Sequence, residues 1–361
     1  MSGALRTLRL GPFETEGGDR IDAVEVAFRV WGETDAAGRP VAPDGVAVVC
    51  HALSGDADAA AWWPGMVGPG RPLDPGRRPV VCANALGSCY GTTGPATRAV
   101  GGWRLGSSFP RITVRDQARL HARLLDALGV DRVAVAAGAS MGGMQALELA
   151  LCDLDAGRDR VRRLVLIGMG AAHGAWQIAT SEAQRLALRA DPRWCGGDFP
   201  AEAPPVAGLA AARAMALLTY RTPELFAERH GRAPHDTPNE TLDAPRFAAE
   251  SYVRYQGERF AARFDAGSYL ALTEAMDDHD VGRGRGGTPA ALARLGADAL
   301  CVGISSDRLY PPAEARALAE ALPTGRYAEL DSAFGHDAFL VQPDALDAIV
   351  RPFLTDTSFL P

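Results

Sequence analysis

The chain of 361 residues is long enough to bury a substantial core, either as one large domain with an insertion or as two domains. Its composition is 47% hydrophobic and 22% charged, that of a soluble globular protein, and no apolar run reaches the ~18 residues of a membrane span. The net charge of −7, with 37 scattered basic residues that are all arginine, argues against a nucleic-acid partner and excludes lysine-dependent Schiff-base or Walker-type phosphate chemistry. The N-terminal stretch reaches acidic and glycine residues before any long apolar run, so no secretion signal is expected and the reading is cytoplasmic. Cys50, Cys82, Cys89, Cys152, Cys195 and Cys301 form no CxxC pair, so neither a disulfide framework nor a zinc site is expected.

In chain order, short apolar β-branched runs lie at 45–50 (GVAVVC), 79–84 (PVVCAN), 132–137 (RVAVAA), 163–168 (RLVLIG), 299–304 (ALCVGI) and 326–330 (RYAEL). Continuous runs of this kind fit strands buried on both faces of a parallel sheet. Between the second and third runs, Leu120, Leu124, Leu125 and Leu128 recur at helical spacing, and MQALELALCDL predicts a helix after Ser140. Strands alternating with such helices imply right-handed crossovers and a doubly wound α/β layer. The alternation stops after Gly170, and from about His173 to Pro289 the sequence reads as helices and loops. The expected division is a core over 1–172 and 291–361, with a helical cap over 173–290 covering the carboxyl edge of the sheet. The segments 54–76 and 282–287 (GRGRGG) read as ordinary surface connections, and Arg283 and Arg285 as solvated loop charges.

Ser140 sits in GASMGG, after a strand and before a helix. A sharp strand-to-helix turn needs small neighbours, which Gly138, Ala139, Gly142 and Gly143 supply, and it points a helix N-terminus at the hydroxyl. A serine is a poor nucleophile until a base takes its proton. Asp307 follows strand ALCVGI and His336 follows strand RYAEL, which gives the order Ser, Asp, His of α/β-hydrolases. The amide of Met141 is the expected first oxyanion donor, and Leu53, in the loop CHALSGD, is the positional candidate for the second.

The blocks HALSGD, WWPGMVGPG, NALGSCYGTTGP, GASMGGMQALE, SYVRYQGERF, SSDRLYPP and GHDAFLV, in this order, resemble the homoserine O-acetyltransferase family of the α/β-hydrolase superfamily. The resemblance implies a ping-pong reaction in which Ser140 attacks acetyl-CoA and the acyl-enzyme is discharged by the hydroxyl of homoserine. In it His336 is general base and acid, and Asp307 its support. It further implies that Arg213 binds the acceptor's carboxylate and Asp337 its amino group, that acetyl-CoA is a co-substrate with no cofactor or metal, and that the protein is a homodimer. The chain departs from the family pattern at Ser54 in HALSG, at Ser88 in LGS and at Ala96–Thr97. Those loops lie where donor and acceptor meet, so a succinyl donor, a serine acceptor, or plain esterase or deacetylase activity stay open as alternatives.

Overall fold

The computed structural model describes residues 3–99, 101–235 and 244–356; positions 236–243 of the predicted cap and 357–361 of the predicted core lie outside it. One sheet of eight strands organises the chain, in the spatial order β1-β2-β4-β3-β5-β6-β7-β8. The strands are β1 (Arg6–Glu14), β2 (Arg20–Trp31), β3 (Val46–Cys50), β4 (Val80–Ala83), β5 (Val133–Ala139), β6 (Arg163–Ile167), β7 (Asp298–Ile304) and β8 (Gly325–Leu330). Strands β3 to β8 run parallel to one another, and β1 and β2 form an antiparallel hairpin whose β2 pairs antiparallel with β4. The strand runs read from the sequence are all present, but the hairpin was not among them. Its signal was the alternation of Val24, Val26, Phe28 and Val30, all buried on one face of β2.

Helices α1 (Ala59–Trp62), α2 (Val114–Ala127) and α3 (Met141–Asp155) lie within the first part of the sheet. Between β6 and β7 come α4 (Ala175–Arg189), α5 (Val206–Tyr220), α6 (Pro223–Arg229), α7 (Ala248–Ala261), α8 (Ala266–Asp277) and α9 (Thr288–Leu292), with no named strand among the described residues. The chain closes with α10 (Pro312–Ala321), α11 (Ala338–Val341) and α12 (Pro343–Thr355). No helix among the described residues is long and apolar enough to cross a membrane. Helix α2 is started by a capping box in which Thr113 accepts from the Asp116 amide and Asp116 reaches back to the Thr113 N–H.

Two segments expected to be surface connections are built into the interior. In 54–76, Trp63, Met66, Val67 and Leu73 are buried in an apolar cluster with Trp31, Val135 and Phe339, and Trp63 Nε1 donates to Phe339 O at 2.9 Å. The large side chains outweigh the turn residues around them. Arg285 in the glycine-rich 282–287 segment is likewise buried, pairing with Glu148 at 2.9 Å and Asp155 at 2.7 Å. Arg283 pairs with Glu16 at 2.8 Å, and Arg115 bridges Glu16 and Glu148. A carboxylate as buried as Glu148 requires paired cations, and the loop folds inward to supply one.

Candidate functional site

The turn at Ser140 is set by contacts that exclude side chains. Ser140 adopts φ 55°, ψ −129°, one of two described non-glycine residues with positive φ. Such a backbone costs about 1–3 kcal/mol and persists only where its surroundings hold it. A Cβ on Gly142 would lie 2.1 Å from Cys50 O, and one on Gly138 would lie 2.2 Å from the Gly142 carbonyl carbon. The start of α3 is thereby pressed against the end of β3, three residues before Leu53. Among the described residues the amides of Leu53 and Met141 donate to no other group of the protein, which leaves both N–H groups free for a ligand oxygen.

The loops after β7 and β8 bring Asp307 and His336 together at 2.6 Å, His336 Nδ1 donating to Asp307 Oδ2. The other oxygen of Asp307 accepts from the amides of Leu309 at 2.8 Å and Tyr310 at 2.9 Å, so the carboxylate is fixed on both sides. Gly168, at the end of β6 with φ +56°, lies beneath the pair; a Cβ there would come within 3.3 Å of the imidazole. Burial presses the His336 pKa down, but the charge and hydrogen bond of Asp307, with the charge of Asp337, raise it above its ordinary value. The rings of Tyr310, Phe339 and Tyr220 stand 5.3, 5.7 and 5.8 Å from the imidazole.

Arg213 on α5 and Asp337 beside His336 fall within the same region. The Arg213 guanidinium lies 5.0 Å from the Tyr220 ring and 4.9 Å from that of Phe260, with no carboxylate partner among the described residues. Asp337 is held by Arg221 at 3.1 Å, a partner that sequence reasoning missed together with Tyr220. Tyr220 follows Arg213 by seven positions on α5, the helical spacing that returns a side chain to the same face, whereas Arg221 lies just past the helix with extended backbone. Gly335 lets this end of α5 approach: a Cβ there would meet Tyr220 O at 2.8 Å. Thr222 Oγ1 also donates to Ala333 O at 2.8 Å, so the insertion is anchored directly on the loop of His336.

The remaining histidines act elsewhere. Buried His51 accepts the Ala85 amide on Nε2 at 2.9 Å and faces Ala52 O through Nδ1 at 2.8 Å, clamping the loop of Leu53 to the loop after β4. His121 packs on Cys50, His230 on Phe226 and Tyr252, and His173 and His279 lie at the base of the insertion. His235 sits in the loop following α6.

A family profile described as the alpha/beta hydrolase fold matches residues 46–343. The homoserine O-acetyltransferase of Salinibacter ruber is 45% identical over 346 residues, covering 96% of both chains. This chain belongs to the homoserine O-acetyltransferase family. The fold is shared more widely: the structure of homoserine O-acetyltransferase from Bacillus anthracis superposes with a TM-score of 0.87 at 22% identity, covering 99% of this chain and 98% of that one. Esterase E22 gives 0.86 at 24% identity, covering 97% and 99%.

If His336 acts as a general base it must be neutral to accept a proton, and its raised pKa then puts the acid limb of kcat/KM above the ordinary histidine value of about 6.5. Removing one of the charges that raise His336 lowers its pKa, so Asp337→Asn should move that limb to lower pH. Following acylation by p-nitrophenyl acetate separates this shift from any change in acceptor binding; an unmoved limb contradicts the electrostatic assignment.

Proposed function

We propose that the chain transfers an acetyl group from acetyl-CoA to the hydroxyl of L-homoserine through an acetyl-Ser140 intermediate, a step toward methionine. The observation that carries the substrates is the full-length likeness to homoserine O-acetyltransferases, because esterases have the same hydrolase fold. In the first half-reaction His336 takes the Ser140 proton as Oγ attacks the thioester carbonyl. The developing oxyanion accepts hydrogen bonds from the Leu53 and Met141 amides, each donor of this kind contributing ~10²–10³ in rate. Collapse breaks the C–S bond, and the proton held by His336 leaves with the CoA thiol. In the second, His336 removes the homoserine hydroxyl proton, the alkoxide attacks the acyl carbon, and Ser140 departs with that proton. Asp307 stabilises the imidazolium in both. The thioester supplies the driving force, so the reaction needs no cofactor or metal.

The acceptor clamp is Arg213 on the carboxylate and Asp337, steadied by Arg221, on the ammonium; a guanidinium forks onto a carboxylate with directional bonds. In this reading the helical insertion over 173–290 acts as a cap on the core formed by 1–172 and 291–361. It raises the acceptor's effective concentration over that of water, which separates transfer from hydrolysis. Acetyl-CoA is made inside cells, and the six cysteines are all free, so the reading places the enzyme in the cytoplasm.

The test is a panel of acetyl-CoA and succinyl-CoA against homoserine and serine, following free thiol. Thiol release should depend on homoserine and favour acetyl-CoA, and Arg213→Leu should raise the homoserine KM by roughly ten- to a hundredfold, the loss of a charged hydrogen bond. Thiol release as fast without an amino acid would replace the transferase by an esterase reading.

The outer face of α5 supports a homodimer. The helix is apolar almost all round, its only charge being Arg213; Leu209, Ala212 and Leu217 are buried while Leu218, Met215 and Val206 are exposed. A helix of this kind requires cover. Light scattering should give twice the monomer mass, and Leu218→Asp should shift the protein toward monomer; a wild-type monomer at micromolar concentration excludes the dimer.

A further inference from the structure

Behind the Asp307–His336 pair lies a set of buried polar groups to which the transfer steps above assign no role. Tyr310, 1% exposed, connects to both. Its amide donates to Asp307, and its ring lies 5.3 Å from the His336 imidazole at 36°. Its hydroxyl meets Nδ1 of His173, in the loop between β6 and α4, at 3.1 Å. His173 Nε2 faces Asp277 Oδ1 on α8 at 3.5 Å, and Asp277 Oδ2 accepts from Arg185 Nη2 on α4 at 2.5 Å. Burial, with the nearby positive charge of Arg185, pushes the His173 pKa down to about 4, so the ring is neutral. Without a hydrogen bond between them, the negative charge of Asp277 still favours the ring proton on Nε2, and Nδ1 then accepts from the Tyr310 hydroxyl.

His173 Nε2, Asp277 Oδ1 and Arg185 Nη1 are buried without a hydrogen-bond partner among the described residues, so His173 and Asp277 meet electrostatically at 3.5 Å.

We propose that Tyr310 is a positioning residue for the acyl transfer, and that its contact with His173 transmits the packing of α4 and α8 to the Asp307–His336 pair. The inference rests on the acyl-Ser140 reading above. Tyr310 and Asp307 share one short turn after β7, so tethering the phenol also fixes the amide that orients the carboxylate. The charged and titratable groups facing His336 are Asp307 and Tyr310 from that turn, Tyr220 from α5, and Asp337 with its partner Arg221, and Glu314 on α10 faces Asp307 and Tyr310. Those facing His173 are Tyr310, Asp277, Arg185 and His279.

The experiment compares Tyr310→Phe, Asp277→Asn and the double variant, with thermal stability measured in parallel. Tyr310→Phe keeps the ring and removes only the tether. It should lower kcat by roughly five- to tenfold, a loss of the size expected for misplacement of a catalytic pair, with both KM values within about twofold. The acid limb should move to lower pH as Asp307 supports the imidazolium less well. Asp277→Asn, which touches no substrate, should move the same quantities in the same direction, and the double variant should be no slower than the slower single one. His173→Leu should reproduce the loss, and His173→Gln, whose amide both accepts and donates, should restore most of it. Wild-type kcat and an unmoved limb in Tyr310→Phe, or losses that multiply in the double variant, overturn the proposal. Acylation by p-nitrophenyl acetate keeps the two readings apart: unchanged acylation in Tyr310→Phe defeats the positioning role, whereas absent homoserine-dependent turnover in the unsubstituted enzyme defeats the transferase.

Discussion

The positive φ of Ser140 is a strain that the rest of the site is arranged to hold. Its amide donates to Ile167 O at the end of β6, its carbonyl accepts from Gly143 and Met144 in the first turn of α3, and Gly142 lies against Cys50 O. Those contacts come from three neighbouring parallel strands, β3, β5 and β6, and from one helix. The hydroxyl therefore stands at a fixed point on the carboxyl edge, and the loops after β7 and β8 deliver Asp307 and His336 to the same edge. Parallel register makes this possible, since every strand from β3 to β8 ends on one side.

Away from that edge, arginine does much of the electrostatic work. With no lysine in the chain, buried carboxylates are met by planar forks: Arg160 holds Asp153 through Nε at 2.5 Å and Nη2 at 2.9 Å, and Arg285 spans Glu148 and Asp155. Breaking one such pair leaves an uncompensated buried charge, with a cost of about 3–5 kcal/mol. The Glu16, Arg115, Glu148 and Arg285 network also ties the β1–β2 turn, α2 and α3 to the loop leaving α8. The segment between β6 and β7 also meets the rest of the chain at the loop of His336 and, through His173 and Tyr310, at the turn after β7.

The sheet and the strand-to-helix turn at Ser140 were legible because they rest on local rules: apolar runs for buried parallel strands, and small residues where backbone must touch backbone. The order of Ser140, Asp307 and His336 was legible for the same reason, each following a strand. What was hidden depends on partners far apart in the chain. Arg285 resembles a solvated loop charge until Glu148, 137 positions away, is known to be buried beneath it. Trp63 sits in a segment of turn residues and finds its place only against Phe339. Tyr220 carried a readable helical spacing from Arg213, and the alternation in β2 was equally present, whereas Arg221 lies past the end of α5 and has no such spacing. Tyr310 gave no sequence signal for its link to His173, because the contact joins two loops that only the folded sheet brings together.

The central claim is that Ser140 carries the acetyl group between two substrates. Intact-mass measurement of the protein mixed with acetyl-CoA alone tests it most directly. The claim predicts a single acetyl adduct, mapped by peptide analysis to Ser140, that persists in buffer and disappears within the mixing time once homoserine is added. An adduct lost equally fast without homoserine, or acetyl transfer undiminished in Ser140→Ala, would contradict it.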